Sequence, residues 1–121
     1  MEQNKIGMTN TLRNIGKSMH GLEKLDSAYF YLDRAFVFAK NENLESQMAY
    51  ILSSMGSIYA EKGLYEKALA YQKESLNYSR IQNTKSSCYY AIGESYVNIQ
   101  KLDSALLYVD SALMSKDLNV K

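Results

Sequence analysis

No proline interrupts the 121 residues, tryptophan is missing, and glycine occurs only six times. Sheets and long irregular connections draw on proline and glycine for their turns, so a chain this poor in both leans to an all-α fold. A single cysteine, Cys88, excludes an intramolecular disulfide and a cysteine-rich zinc site. It reads as a small half-buried hydrophobe on a helix. The only histidine, His20, has no second imidazole or nearby thiol with which to hold a metal, and no visible nucleophile to activate. Neither a metal nor any other cofactor is expected. Net charge is +1, from fourteen basic and thirteen acidic side chains. Nucleic-acid binders carry a large basic excess or a basic stripe, so no nucleic-acid partner is expected. No run approaches the length of a membrane span, and no membrane insertion is expected. The first twenty residues are too polar for a secretory signal. The compartment stays open, with the cytoplasm the favoured expectation.

What the chain does have is a repeat. Gly16, Gly56 and Gly93 each follow a large apolar residue: Ile15, Met55 and Ile92. Four positions before each glycine stands Leu12, Leu52 or Tyr89, and three after it Met19, Tyr59 or Tyr96. Twelve residues after each comes an alanine (Ala28, Ala68, Ala105), and eight beyond that Phe36, Leu76 or Leu113. Such fixed spacing marks a helical repeat array. Leu52, Met55, Gly56 and Tyr59 follow the i, i+3, i+4, i+7 pattern of one helix face. A second helix holds Ala68, Leu69, Gln72 and Leu76, after a turn at Gly63. The other units turn at "HGLEKLDSA" and "NIQKLDSA", where Asp26 and Asp103 suit the first turn of a helix. Each unit is thus an antiparallel helical hairpin. A glycine inside a helix costs about 1 kcal/mol against alanine, which close approach to the partner helix at the matching alanine offsets.

The pattern Leu52-x-x-Met55-Gly56-x-x-Tyr59, followed by Gly63, Tyr65, Ala68, Tyr71 and Leu76, resembles the tetratricopeptide repeat. Tyr89 through Leu113 repeats it, and Leu12 through Phe36 does so more weakly. The resemblance implies an α-solenoid of three helix-turn-helix repeats, at about 9–42, 49–82 and 86–119, in a right-handed superhelix. One domain over 1–121 is expected, as part of a longer array or assembly. The family's tryptophan is replaced by leucine or tyrosine, and its proline at the repeat end is absent. The glycine-to-glycine intervals, forty and thirty-seven residues, exceed the usual length of about 34. The extra residues fall between hairpins, where polar turns are expected at "KNENLES" (40–46) and "IQNTKSS" (81–87). Long repeats of this kind resemble arrays in bacterial signal-transduction proteins.

No enzyme constellation emerges. Glu61, Glu66 and Glu74 alternate with Lys62, Lys67 and Lys73 as on a solvated helix face. Seven of the eleven tyrosines (31, 59, 65, 71, 89, 96 and 108) fall on packing positions; Tyr50 and Tyr90 do not. In stacked hairpins the first helices line the concave side. At about 100° per residue, the side opposite the packing stripe gathers Asn10, Arg13, Asn14, Lys17, His20, Tyr50, Ser53, Ser54, Ser57, Glu61, Tyr90 and Glu94. The expected partner-binding residues are Asn10, Arg13, Asn14, Lys17, Tyr50, Ser54, Ser57, Tyr90 and Glu94. The function read from this strip is non-catalytic protein–protein interaction, as a scaffold or sensor module that binds a peptide or protein. The alternative is a small-ligand or signalling-peptide sensor domain of a bacterial regulatory protein. Some members of the family grip a C-terminal carboxylate here, but Lys17, Ser54, Ser87 and Ala91 depart from that pattern. Finally, Ile6 and Met8 at one end, and Leu106, Leu107, Val109 and Leu113 at the other, leave apolar surface uncapped, and pairing into a homodimer through these ends is expected.

Overall fold

The structure, a computed structural model, describes residues 2–79 and 82–120, and the side chains of 4–79 and 84–114. Within them lie α1 (Glu2–Gly21), α2 (Leu25–Asn41), α3 (Glu45–Glu61), α4 (Tyr65–Tyr78), α5 (Gln82–Asn98) and α6 (Leu102–Val120). Consecutive helices pack as hairpins, α1 with α2, α3 with α4 and α5 with α6, and the hairpins stack through α2–α3 and α4–α5.

Four of the five connections are one motif. At residues 22–24, 42–44, 62–64 and 99–101, the third residue's N–H reaches back five positions: Lys24 to Met19, Leu44 to Ala39, Leu64 to Tyr59 and Lys101 to Tyr96, each at 2.9 Å. The middle residue is left-handed, with φ of 61° at Glu23, 56° at Asn43, 78° at Gly63 and 63° at Gln100. This is the Schellman ending of a helix, which satisfies its last carbonyls. The third residue's own carbonyl then accepts from the next helix, at Ala28, Met48, Ala68 and Ala105 N–H. One three-residue segment therefore closes one helix and opens another. No side-chain cap is made at Lys24, Leu44 or Leu64. Instead Asp26, Glu45, Glu66 and Asp103 place negative charge in the first turns, where the helix dipole favours it.

The α4–α5 connection differs. Ser79 leaves the helix in an extended conformation (φ −80°, ψ 119°), and its Oγ donates to the Ser75 carbonyl at 2.9 Å. Residues 80 and 81 lie outside the described set. The polar turn expected over 81–87 is instead helical from Gln82 onward. The chain turns earlier because Ser79 ends α4, and nothing between 82 and 87 breaks a helix. The turn expected over 40–46 is present at 42–44.

The recurring glycines do what their spacing implies. A Cβ on Gly16 would stand 2.8 Å from Leu32 Cγ and 3.2 Å from the Ala28 carbonyl oxygen. On Gly56 it would meet Gln72 Cγ at 3.0 Å and the Ala68 oxygen at 3.4 Å; on Gly93, Val109 Cγ2 at 3.1 Å and the Ala105 oxygen at 3.5 Å. In each hairpin the glycine thus rests against the backbone of the alanine twelve residues on.

The two seams between hairpins differ in chemistry. Between the first and second, Ala28, Leu32, Ala35 and Ala39 of α2 bury Met48, Ile51, Met55 and Ile58 of α3 in one apolar cluster. Between the second and third, Ser95 Oγ donates to Gln72 Oε1 at 2.9 Å, while Ser75 Oγ donates within the second hairpin to the Ala49 carbonyl at 2.7 Å. Cys88 is more deeply buried than its sequence position implied, with its sulfur 3.5 Å from Ser75 Oγ and 3.6 Å from Ser79 Oγ.

Aromatic stacks brace the hairpins. Tyr59 and Tyr71 stack at 5.3 Å, and Tyr96 and Tyr108 at the equivalent positions at 5.6 Å. Tyr29, outside the sequence pattern, joins the first stack edge-on to Tyr59 at 5.8 Å, with its hydroxyl 3.1 Å from that of Tyr71. That hydrogen bond, with burial, holds the Tyr29 phenol protonated well above the ordinary tyrosine range.

Candidate partner-binding surface

The first helix of every hairpin, α1, α3 and α5, contributes to one polar strip. Arg13 of α1 holds its guanidinium carbon 5.2 Å from the centre of the Tyr50 ring of α3, a cation–π contact that bridges two hairpins. One turn further along, Lys17, His20, Gly21 and Glu23 face Ser54, Ser57 and Glu61 across a hollow of about 460 Å³. A second hollow, of about 280 Å³, lies on the other side of α3, where Ser57, Ala60 and Glu61 meet Tyr65, Gln72, Ala91, Glu94, Ser95 and Asn98. Ser57 and Glu61 form the ridge common to both. Toward the start of α3, Tyr50 and Ser53 share a third hollow of about 360 Å³ with Thr84, Ser87 and Cys88.

The electrostatics run along the stack. α1 contributes Arg13, Lys17 and His20, and α5 contributes Glu94. Glu61 stands between them, its Oε2 2.9 Å from His20 Nε2. That contact lacks hydrogen-bond geometry, and His20 Nε2 is otherwise buried without a partner, as is Arg13 Nε. Ser57 Oγ donates to its own helix at the Ser53 carbonyl (3.2 Å), and Asn98 Nδ2 donates to the Glu94 carbonyl (2.9 Å). Both side chains keep oxygen lone pairs as acceptors.

Of the residues expected from the sequence, the structure brings together Arg13 with Tyr50, Lys17 with Ser54 and Ser57, and Ser57 with Glu94. Asn10, half-buried, and Asn14 and Tyr90, exposed, lie on α1 and α5 but line none of these three hollows. Tyr50 and Tyr90 are 42% and 40% exposed, large aromatic surfaces left in solvent. Sequence reasoning left His20 and Glu61 out of the expected site, and it did not anticipate Gln72 and Tyr65 reaching the second hollow from α4. A signal for Gln72 existed: it stands sixteen residues after Gly56, where the other hairpins place Leu32 and Val109. Among the described residues, no three or more His, Cys, Asp and Glu side chains are grouped to hold a metal ion. Among them, too, no helix is long and apolar enough to cross a membrane.

No family model matches the sequence. The solved TPR domain of Arabidopsis FLU superposes with a TM-score of 0.83 at 18% identity, over 94% of this chain and 98% of that one. The chain has the tetratricopeptide-repeat fold. A second tetratricopeptide-like likeness in structure, BtubC (BKLC) from P. vanneervenii, gives a TM-score of 0.85 at 16% identity, over 91% of this chain and 47% of that one. In sequence, 72 residues, 60% of this chain, are 33% identical to the human protein O-mannosyl-transferase TMTC2. The chain spans 9% of that protein's length. Within this tetratricopeptide-repeat fold the Gly–Ala contacts pack the two helices of each repeat together.

Proposed function

We propose that this tetratricopeptide-repeat array is a non-catalytic interaction module, a scaffold or sensor within a longer array or assembly, that binds a peptide or protein segment along α1, α3 and α5. The observation that supports it is the pair of adjoining polar hollows with Ser57 and Glu61 as their common ridge. They give an extended segment a row of hydroxyl, amide and carboxylate partners for its backbone, and Tyr50 and Tyr90 offer aromatic area for its side chains. The charge order selects direction: Arg13 and Lys17 suit an acidic residue of the ligand, and Glu94 suits a basic one. The likeness to the mannosyl-transferase concerns a small share of that protein, and we carry none of its chemistry over.

Peptide display against the chain, followed by calorimetry of the selected peptides, tests this reading. Binding should weaken at least tenfold in Lys17→Glu and in Glu94→Lys, and peptides with the opposing charge reversed should recover it. Unchanged affinity in both variants, with helical content intact, would place the site elsewhere. A small polar ligand or short signalling peptide is the second reading. It would use the hollow where Gln72 and Ser95 are hydrogen-bonded between Tyr65 and Glu94.

A further inference from the structure

The two adjoining hollows of the strip occupy the same place in the repeat, yet they differ in charge. Counted from the glycines, Ser54, Ser57 and Glu61 beside the first correspond to Ala91, Glu94 and Asn98 beside the second. The first hollow, between α1 and α3, sets Lys17 and His20 against Glu23 and Glu61. The second, between α3 and α5 with α4 beneath, has Glu61 and Glu94 in its wall and no basic residue. Among the described residues Glu94 has no ion pair, and Glu61 turns one oxygen to His20 and keeps the other. Asn98 adds an acceptor, because its Nδ2 donates to the Glu94 carbonyl and leaves Oδ1 unused.

The floor of the second hollow is a buried amide. Gln72 of α4 is 6% exposed and Ser95 of α5 is 2% exposed, and the serine hydroxyl engages Gln72 Oε1 at 2.9 Å. The other end of that amide has no hydrogen bond among the described residues, and Gln72 lines the hollow. At the first seam the equivalent pair is Leu32 and Ile58, both fully buried in the apolar cluster. An aliphatic pair therefore fits this place in the repeat. A polar side chain buried there with half its hydrogen bonds unmade costs stability. Packing does not account for Gln72, whereas a ligand atom in the hollow that completes its bonds does.

We propose that the second hollow holds the guanidinium of an arginine residue in the segment bound along α1, α3 and α5. This rests on the peptide-binding reading above and names the side chain that the hollow selects. Two carboxylates with no basic residue beside them favour a cation. The Gln72 amide presents either its oxygen or its nitrogen after a half-turn, and the Ser95 hydroxyl donates or accepts, so the floor can offer Oε1 to that cation. Acceptors then stand at both the wall and the floor. A guanidinium carries five N–H groups in a planar fork, pairs with a carboxylate through two parallel bonds and still reaches a further acceptor. An ammonium offers three donors at a single point. The half-buried Tyr65 borders the hollow and supplies an aromatic ring of the kind on which guanidinium planes stack.

Heteronuclear NMR titration tests this, with N-acetyl-L-arginine N-methylamide standing for an arginine residue within a chain. Its binding should shift the side-chain amide of Gln72 and the backbone amides of Ser95 and Asn98. The capped citrulline analogue, uncharged and nearly isosteric, should bind about tenfold more weakly, and capped lysine should also be weaker. Glu94→Gln, at an exposed position, should weaken capped arginine by about the same factor. So should Gln72→Leu combined with Ser95→Ile, which installs the pair of the first seam and should keep the helical content of wild type. Capped lysine or citrulline that binds as tightly as capped arginine overturns the proposal. A Glu94→Gln protein, or a folded double variant, with wild-type affinity for capped arginine overturns it too. Binding of free L-arginine without the capped form overturns it in favour of a small ligand. Lys17→Glu separates this inference from the peptide reading, since Lys17 lies outside the hollow. It should leave capped arginine unaffected while it weakens peptides selected by display. Selected peptides that need Lys17 but bind equally well with citrulline in place of arginine refute the arginine and keep the strip.

Discussion

Adding one methyl group at each helical glycine tests the hairpin packing against its own controls. Alanine is favoured over glycine in a helix by about 1 kcal/mol, so an alanine with room around it should stabilise. Gly7 of α1 is such a site, since a Cβ there would meet nothing within 4 Å. Gly16 is the opposite. Its Cβ would stand 2.8 Å from Leu32 Cγ, 3.0 Å from Cδ2 and 3.2 Å from the Ala28 oxygen. Leu32 is fully buried and has nowhere to swing, so α1 and α2 must separate. Overpacking of this kind costs about 1–3 kcal/mol, which leaves Gly16→Ala destabilised by about 1 kcal/mol after the propensity gain. At Gly56 the nearest atom is Gln72 Cγ at 3.0 Å, and moving it strains the bond from Ser95, so the two effects nearly cancel. At Gly93, Val109 Cγ2 at 3.1 Å belongs to a half-buried side chain with room to move, and the net effect should be zero or slightly stabilising. Thermal melts by circular dichroism resolve these differences, at roughly 4 °C per kcal/mol for a chain of this size. The expected order of Tm is Gly7→Ala highest, then Gly93→Ala, Gly56→Ala, and Gly16→Ala lowest. A Gly16→Ala protein as stable as Gly7→Ala would refute the close approach of α1 to α2.

Other substitutions probe the remaining devices. Ala68→Leu should lower stability by about 1–3 kcal/mol, because Ala68 is fully buried beneath Gly56; an unchanged melting temperature would contradict the contact. Gly63→Ala should cost about 1 kcal/mol, because φ there is 78°, whereas Glu23→Gly and Gln100→Gly should gain a few tenths by relieving φ of 61° and 63°; urea melts report both signs. Alkaline pH should destabilise the fold. The Tyr71 hydrogen bond, with burial, keeps the Tyr29 phenol neutral above its ordinary value of 10.0, while the unfolded chain ionises there, so this stabilisation is complete below about pH 10 and lost as pH rises further. Lys73, whose Nζ donates to the Tyr96 hydroxyl at 2.6 Å, is shifted upward by that bond and acts in the same direction, though its exposure keeps the effect small. Tyr29→Phe should flatten the decline in denaturant melts above pH 10, and an identical decline in that variant would discount the cluster.

The hairpins, their Gly–Ala register and four of the five connections were legible in the sequence because each rests on short-range chemistry. A helix face repeats every three or four residues, and a Schellman turn is closed by residues five apart. The polar strip was legible for the same reason, since helical periodicity alone sets Arg13, Lys17, Ser54, Ser57 and Glu94 on one side of their helices. The tertiary structure decided what no local pattern carries. It set the end of α4 at Ser79, whose backbone turns extended there. It brought Tyr29 onto Tyr59 and Tyr71, and joined Gln72 of one hairpin to Ser95 of the next. It also separated Leu69 from Leu106, two leucines at the same repeat position, of which one is 8% and the other 61% exposed. Their sequence contexts are alike, and the difference lies in whether another hairpin stands on top.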